Sequence, residues 1–208
     1  MITIVDYGSG NISAITNIYQ ILDIPFSIAS KPSELEDAEK IILPGVGSFD
    51  YCMNKLNKSG LKDILNKKVI IDKVPVLGIC IGMHLMAEHS EEGALPGLSW
   101  IKGRVIKFDK NKIMHRPKVP HMGWNSINRL INHPILNGIN DKLGFYFVHS
   151  YFFECNNSQN ELSKTFYGHE FSSAIISNNI IGVQFHPEKS HSNGLELLKN
   201  FQNITNDS

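Results

Sequence analysis

Short apolar runs alternate with helical patterns over the first ninety residues of the chain. The apolar runs predict four strands, at residues 2–6, 25–29, 40–43 and 74–78. After the first strand, apolar side chains recur three or four positions apart, which predicts a helix over residues 12–22. Another helix is predicted to begin near Ser48. Strands that alternate with helices in this way indicate a parallel sheet covered by helices.

The second half of the chain has a different pattern, in which many strands follow one another at hairpin distances. Strands are predicted at residues 100–108, 124–128, 145–153, 163–167, 173–177 and 180–185. A final helix is predicted over about residues 194–201, before a polar tail, and no linker or repeat divides the chain. We therefore predict one α/β domain over residues 1–208, with a mostly parallel central sheet flanked by helices and an antiparallel extension in the second half.

Charge and cysteine content limit the partners and the cellular compartment that we expect for the chain. The 20 Lys and Arg residues balance the 20 Asp and Glu residues, so no basic excess is available to bind nucleic acid. The longest nearly apolar run, residues 74–87, is shorter than the roughly 18 residues of a membrane helix. We expect neither nucleic acid nor a membrane as a partner. The cysteines, Cys52, Cys80 and Cys155, have no paired spacing, which is typical of the reducing cytoplasm and directs attention to a lone reactive thiol.

One of the three cysteines lies between glycines. Cys80 is the centre of the G-x-C-x-G pattern at residues 78–82, which follows a predicted strand. Small residues on both sides allow a sharp turn that presents the thiol at the carboxyl end of the sheet. The following helix is expected to favour the thiolate, and the Ile81 N–H to face an oxyanion on a bound substrate. The alternative is a cysteine that packs in the core, which is our interpretation of Cys52 and Cys155.

A histidine and a carboxylate follow the last predicted strand. His186 and Glu188 are two positions apart, and residues at this spacing in an extended segment point to the same side. Glu188 is therefore expected to accept the Nδ1–H of His186 and to leave Nε2 facing the thiol of Cys80. The alternative is a histidine that is hydrogen-bonded within the core. No C-x-x-C or H-E-x-x-H pattern is present, so neither a metal site nor a cofactor is expected.

Six segments of the chain occur together in one family. From residue 1 to about residue 201 the chain resembles the class I glutamine amidotransferases, in the segments at residues 6–11, 44–47, 78–83, 120–125, 146–151 and 186–188. The resemblance implies that family's fold and the hydrolysis of L-glutamine to glutamate and ammonia. In that reaction Cys80 would form a glutamyl thioester, His186 would transfer protons and Glu188 would orient His186.

The resemblance also assigns residues to the glutamine site. The segment at residues 44–47 matches the family's oxyanion loop, so Val46 and Gly47 are expected to contribute backbone N–H donors beside that of Ile81. The family's glutamine-binding positions correspond to Glu92, His149, Ser150, Tyr151 and His84. Position 84 departs from the family, whose members commonly have glutamine there, because an imidazole cannot reproduce the hydrogen bonds of an amide. Without the resemblance, residues 44–47 would be an ordinary strand-to-helix turn.

Within the family, the chain is most similar to glutaminase subunits that form a heterodimer with a HisF-like (βα)8-barrel cyclase. This resemblance implies that the chain supplies ammonia for imidazole glycerol phosphate synthesis in histidine biosynthesis, and that the oxyanion loop changes conformation when the partner binds. The positions expected near the partner are Asn11, Pro120, Met122, Trp124, Tyr146 and Lys189.

Two alternatives remain open. One is a paralogue that supplies ammonia for amidination of a surface-polysaccharide sugar. His191 favours it, because many members of the histidine pathway have glycine at this position. The other is a non-catalytic subunit that binds glutamine or holds a partner.

Overall fold

The apolar runs and helical patterns correspond to short strands and helices in the computed structural model, which describes residues 1–113 and 118–205. The strands are β1 (Ile2–Val5), β2 (Phe26–Ala29), β3 (Lys40–Gly45), β4 (Val76–Cys80), β5 (His89–Ser90), β6 (Gly103–Lys107), β7 (His121–Asn125), β8 (Asn128–Arg129), β9 (Phe145–His149), β10 (Tyr151–Cys155), β11 (Glu161–Tyr167), β12 (His169–Ser177) and β13 (Ile180–Val183). The α-helices are α1 (Ile12–Ile21), α2 (Phe49–Ser59), α3 (Leu61–Asn66), α4 (Ile81–His84) and α5 (His191–Asn203).

One large sheet runs through both halves of the chain. Its first part is parallel, in the order β2-β1-β3-β4-β13. From β13 the pairing becomes antiparallel to β12, and the sheet continues through β10 and β6 to β5. Strands β7 and β9 form a separate antiparallel pair. A parallel centre with an antiparallel extension is the predicted fold class.

The parallel strands lie in the core because helices cover the sheet. Every residue of β1, β4 and β13 is buried, as expected for strands that are covered on both faces. Helix α1 buries Ile15, Ile18 and Tyr19, which are three of its apolar residues at helical spacing. In the described part of the chain, no helix has both the length and the apolar character needed to cross a bilayer.

Three neighbouring parallel strands end at the same edge of the sheet. In the paired register, Gly45 at the end of β3 lies opposite Cys80 at the end of β4, and Val183 at the end of β13 lies opposite Ile79. The loop after β3, the thiol of Cys80 and the segment after β13 therefore meet there. The carboxyl ends of parallel strands are where open α/β sheets bind ligands.

The structure corrects several predicted boundaries. The predicted strand at residues 145–153 is two strands, because the chain leaves the β7–β9 pair at Ser150 and joins the large sheet. The strand predicted at residues 124–128 begins earlier, as β7, and helix α3 was not predicted. Helix α5 is longer than expected, and residues 206–208 of the predicted tail lie outside the described residues. That the whole chain is one domain stays a prediction.

Candidate active site

The turn between β4 and α4 holds Cys80 in a strained backbone conformation. Its φ angle is 54° and its ψ angle −111°, a region that residues with a Cβ rarely adopt and that costs roughly 1–3 kcal/mol. The flanking glycines make this turn sterically accessible. A Cβ on Gly82 would collide with the carbonyl oxygen of Leu43, and one on Gly78 would lie 2.8 Å from the carbonyl of Gly82. The sequence therefore keeps small residues where the backbone segments touch.

The helix behind the thiol is shorter than the sequence suggested. Helix α4 has only four residues, Ile81–His84, so it is a single turn. Because a helix dipole is the sum of many aligned peptide units, this turn offers little of the polarisation that the sequence analysis expected at Cys80. Any activation of the thiol would therefore have to come from its side-chain neighbours.

A histidine and a glutamate form a buried pair beside Cys80. The Nδ1–H of His186 donates to Glu188 Oε1 at 2.7 Å, and the two side chains are only 5% and 1% exposed. Residues Pro187–Lys189 form a turn of 3-10 helix rather than the extended segment expected, but the pair still forms. The remaining nitrogen of His186, Nε2, is buried and has no hydrogen-bond partner among the described residues.

The electrostatic environment of His186 favours its charged form. Burial disfavours an imidazolium, but the sulfur of Cys80 and the carboxylate of Glu188 outweigh burial and raise the pKa of His186 above its usual range. An imidazole that becomes more basic next to a thiol can accept the thiol proton. The arrangement therefore brings together the three kinds of group that nucleophilic catalysis needs, which are a thiol, an imidazole and a carboxylate that orients the imidazole.

A cavity of about 510 Å³ opens over these three side chains. Its volume is within the usual range for small-molecule sites. The predicted site residues that line it are Asn11, Val46, Gly47, Cys80, Ile81, His84, Glu92, Pro120, His149, Ser150, Tyr151, His186, Glu188 and Lys189. The predicted residues outside its lining are Met122, Trp124 and Tyr146. Residues from both halves of the sequence therefore converge on one cavity.

The glycine loop after β3 does not present its amide to this cavity. The N–H of Val46 donates to Ser9 Oγ at 3.1 Å, and the Ser9 hydroxyl donates to the Val46 carbonyl oxygen at 2.7 Å. In this conformation the Val46 N–H is therefore occupied, and the Cys52 thiol also contacts the Val46 carbonyl oxygen, at 3.5 Å. That this N–H serves as an oxyanion donor beside that of Ile81 stays a prediction. Gly47 has a φ angle of 119°, which a residue with a side chain would rarely adopt.

The carboxylate of Glu92 lines the cavity and is anchored by the backbone of a neighbouring helix. Its Oε2 accepts the backbone N–H of Phe49 at 2.9 Å, which fixes the side chain at the start of α2. Burial raises the pKa of Glu92, because the charged form is partly withdrawn from water. A partly desolvated carboxylate of this kind gains from a cationic partner, such as the α-ammonium group of an amino acid.

The side chain of His149 is already engaged within the protein. Its Nε2 lies 3.0 Å from Nδ1 of His121, and its Nδ1 lies 2.8 Å from the carbonyl oxygen of Tyr151. Burial lowers the pKa of His149 well below its usual value, and the neighbouring His121 adds to this effect. Any contact from this segment to a ligand would therefore come from backbone groups or from the Ser150 and Tyr151 hydroxyls.

His84 forms a buried pair that includes a residue missed by the sequence analysis. Its Nε2 lies 2.7 Å from Oε1 of Gln184, and burial lowers the pKa of His84 to about 4. The other end of the Gln184 amide, Nε2, lies 3.9 Å from the sulfur of Cys80. The available signal was the spacing, because Gln184 is two positions before His186 and so faces the same side of an extended segment.

The predicted partner surface lies beside the cavity. Met122 and Trp124 alternate along β7 with inward-facing residues and are 62% and 46% exposed. The Trp124 ring is stacked on His191 with a centroid distance of 5.1 Å. Nζ of Lys189, which lines the cavity, lies 5.9 Å from the centre of the Tyr146 ring. Exposed aromatic groups next to a cavity are typical of a protein interface.

Comparison with known proteins identifies the family. Residues 3–204 match the family model described as glutamine amidotransferase class-I. The chain belongs to the class I glutamine amidotransferases. This confirms the predicted family, and membership makes the chain a glutamine-hydrolysing enzyme, so we set aside the non-catalytic alternative.

Curated relatives of this glutamine amidotransferase cover nearly all of it. Imidazole glycerol phosphate synthase subunit HisH of Bdellovibrio bacteriovorus is 51% identical over 204 residues, 98% of this chain and 100% of that protein. Imidazole glycerol phosphate synthase subunit HisH 2 of Methanococcus maripaludis is 47% identical over 201 residues, 97% of this chain and 98% of that protein. The solved structure of PurLQS from Thermotoga maritima has a TM-score of 0.72 at 17% identity and covers 97% of each chain, which confirms the fold alone.

The described residues offer no group of three or more His, Cys, Asp or Glu side chains that could hold a metal ion. The polar groups that line the cavity can hydrogen-bond an organic substrate that has a positively and a negatively charged group. They comprise the Glu92 carboxylate, the Tyr151 hydroxyl and the backbone around Ser150.

Proposed function

We propose that this chain is the glutaminase subunit of an imidazole glycerol phosphate synthase. It would hydrolyse L-glutamine through Cys80, His186 and Glu188, and pass the ammonia to a HisF-like (βα)8-barrel cyclase in histidine biosynthesis. The observation that carries the proposal is the 51% identity, over 98% of the chain, with a protein named as that subunit. The buried His186–Glu188 pair beside Cys80 supports the chemistry.

The first half of the reaction forms a thioester. The thiol proton of Cys80 passes to Nε2 of His186, and the sulfur attacks the carboxamide carbon of glutamine. The tetrahedral intermediate collapses when His186 returns this proton to the nitrogen, so the C–N bond breaks and ammonia leaves. Glu188 keeps Nδ1 protonated throughout, which fixes the tautomer in which Nε2 is the base.

The second half regenerates the thiol. A water molecule gives a proton to His186 Nε2 and attacks the thioester carbonyl carbon. The C–S bond breaks, the sulfur regains its proton from His186, and glutamate is released. During both halves the developing oxyanion would lie at the N–H of Ile81, and at that of Val46 or Gly47 once the loop has left Ser9.

The cavity provides the groups that orient glutamine. We assign the Glu92 carboxylate to the α-ammonium group, and backbone groups of His149 with the hydroxyls of Ser150 and Tyr151 to the α-carboxylate. His84 also lines the cavity, and it would act on this site indirectly, through its contact with Gln184. The unpaired cysteines suit a reducing compartment, so we place the reaction in the cytoplasm.

The HisF-like subunit is proposed to cover the mouth of the cavity. Asn11 and Pro120 line the cavity, and the exposed side chains of Met122 and Trp124 follow Pro120 along the chain. A partner that packs on Trp124 would gain an aromatic anchor of the type that dominates binding energy in interfaces. The partner would also enclose the ammonia that is released in the cavity, so that this product passes directly to the cyclase.

One observation favours a second candidate function, in which the same chemistry supplies ammonia for amidination of a surface-polysaccharide sugar. His191 has a φ angle of 47°, in the region where glycine is the usual residue, and its ring stacks on Trp124 with an interplanar angle of 3°. A histidine stacked on Trp124 changes the surface that the chain offers to a partner. Such a partner could differ from the histidine-pathway cyclase.

Reconstitution distinguishes the two functions. The chain is combined in turn with each HisF-like protein of its source organism, and turnover of the histidine-pathway intermediate is measured with glutamine or an ammonium salt. We expect glutamine-dependent turnover with one partner. The Cys80→Ala chain should lose that turnover and keep the ammonium-dependent turnover. Glutamine hydrolysis stimulated only by a partner that leaves the intermediate unchanged would contradict the first function and support the second.

A further inference from the structure

Gln184 is a fully buried amide next to the proposed nucleophile. Its side chain is 0% exposed, its Oε1 lies 2.7 Å from His84 Nε2, and its Nε2 lies 3.9 Å from Cys80 Sγ. These two contacts use opposite ends of one planar amide. The orientation of the amide therefore decides whether an N–H donor or a carbonyl oxygen faces the sulfur.

The tautomer of His84 fixes that orientation. Nδ1 of His84 is buried without a hydrogen-bond partner among the described residues. If Nε2 accepted a hydrogen bond from Gln184, Nδ1 would carry a buried N–H with no acceptor, and orphaned N–H groups are rarer than orphaned acceptors. The proton therefore lies on Nε2 and is donated to Gln184 Oε1. Burial lowers the pKa of His84 to about 4, so the ring stays neutral at pH 7.

We infer that Gln184 donates its Nε2–H to the sulfur of Cys80 and stabilises the thiolate, with His84 as the positioning residue that holds the amide in this orientation. The inference rests on the proposed role of Cys80 as the nucleophile. It gives the sulfur two neighbours of different kinds. His186 takes the proton, and Gln184 supplies a neutral donor that stays when the proton has gone.

A neutral donor differs from His186 in what it does to the reaction. Hydrogen bonds to charged groups are stronger than those to neutral groups, so an amide N–H favours the thiolate over the thiol. The titratable groups that also act on Cys80 are His186, Tyr7 and Cys52. A substitution at Gln184 leaves these three residues in place, so its effect on the thiolate can be measured separately.

The test is the pH profile of Cys80 alkylation by iodoacetamide, with the modified peptide identified by mass spectrometry to separate it from Cys52 and Cys155. In Gln184→Met, which keeps the length of the side chain and loses the donor, the midpoint of the profile should move up by about one pH unit. The rate at pH 7 should fall about tenfold. The rate at the high-pH plateau should not fall, because a more basic thiolate is intrinsically more nucleophilic.

Variants at position 84 test the orientation. His84→Phe removes the N–H that Gln184 accepts, so the midpoint should move in the same direction by a smaller amount. His84→Gln provides an amide N–H in its place and should return the midpoint toward that of the parent chain. Gln20→Met, an exposed change on α1, is the matched control and should leave the profile unchanged. Thermal unfolding of each variant checks that the fold is intact.

An unchanged midpoint in a folded Gln184→Met chain would overturn the inference, and a downward shift would mean that the carbonyl oxygen faces the sulfur. If Gln184→Met does not fold, the position 84 variants decide, because equal midpoints for His84→Phe and His84→Gln would also overturn it. These results are distinct from failure of the proposed function. That function fails if Cys80→Ala retains glutaminase activity, whatever the alkylation profile of the Gln184 variant.

Discussion

The two sides of the Cys80 sulfur are built in different ways. On the side of His186 and Glu188, the side chains are buried and paired at 2.7 Å, and their surroundings raise the pKa of His186. On the side of the glycine loop, the Val46 N–H donates to Ser9 Oγ. The first side is complete in the isolated chain, and the second is not.

This difference suggests where the chain is regulated. A single oxyanion donor typically contributes about 10²–10³ to the rate, so a chain that lacks the second donor would hydrolyse glutamine slowly without being inactive. The Ile81 N–H already lies at the turn between β4 and α4, and only the peptide of Val46 would have to turn. Val46 is 49% exposed at the mouth of the cavity, where a partner could reach it. We propose that partner binding acts on this loop and leaves the His186 side unchanged.

Glu188→Gln should have the largest effect, because it removes the acceptor that fixes the tautomer of His186. We expect kcat/KM for glutamine to fall by about 10³–10⁴, both in the isolated chain and with the partner. Steady-state glutaminase assays in both states measure this. Glu36→Gln, on an exposed turn, is the control. A loss seen in only one of the two states would mean that the His186 side also depends on the partner.

Acid should have the next largest effect, through the buried His84. His84 has a folded-state pKa of about 4 against about 6.5 when unfolded, so the unfolded chain binds more protons between these values. Its contribution to stability is complete above pH 6.5 and is lost as the pH falls toward 4, by about 2–3 kcal/mol. The raised pKa of His186 does not offset this loss, because that contribution is already complete below pH 6.5.

Urea unfolding at pH 7, 5.5 and 4.5 measures this pH dependence. His84→Gln should reduce it by the share of His84, since glutamine does not titrate, while His121 and His149, whose pKa values burial also lowers, keep the remainder. The hydrogen bonds between Ser9 and Val46 contain no titratable group, so their contribution to the free energy of unfolding should not change with pH over the same range. An equal slope for the parent and His84→Gln chains would remove His84 as the cause.

Ser9→Ala should have the smallest effect, and it acts on the loop side. Loss of the hydroxyl removes its two hydrogen bonds to Val46, each worth about 1 kcal/mol, and leaves the contact of Cys52 Sγ with the Val46 carbonyl oxygen at 3.5 Å. Glutaminase activity of the isolated chain should rise about tenfold, while activity with the partner should change little. Ser13→Ala, on the exposed face of α1, is the control. An unchanged or lower activity in the isolated chain would show that Ser9 does not restrain the loop.

Features that depend on local sequence could be predicted. The positions of strands β1 to β4 follow from buried apolar runs, and the sharp turn at Cys80 follows from its flanking glycines. The pairing of His186 with Glu188 was also predicted, because a spacing of two residues brings the side chains together. Each of these inferences needs only neighbours along the chain.

Features that depend on distant contacts could not be predicted. Ser9 and Val46 are 37 positions apart, and His84 and Gln184 are 100 positions apart, so nothing local signals either contact. The break at Ser150 was also missed, because both flanking strands are apolar and only their pairing with different sheets separates them. The shortness of α4 has the same origin, since the chain after His84 packs into the core instead of continuing a helix.

The glutamyl thioester on Cys80 is the species on which the proposed mechanism depends. Rapid acid quenching of the chain after mixing with glutamine, followed by mass spectrometry of its peptides, detects this adduct directly. We predict an acyl group on the peptide that contains Cys80, formed faster with the partner present and absent from Cys80→Ala, which should release no glutamate above background. Glutamate release by Cys80→Ala at the rate of the parent chain would contradict the mechanism.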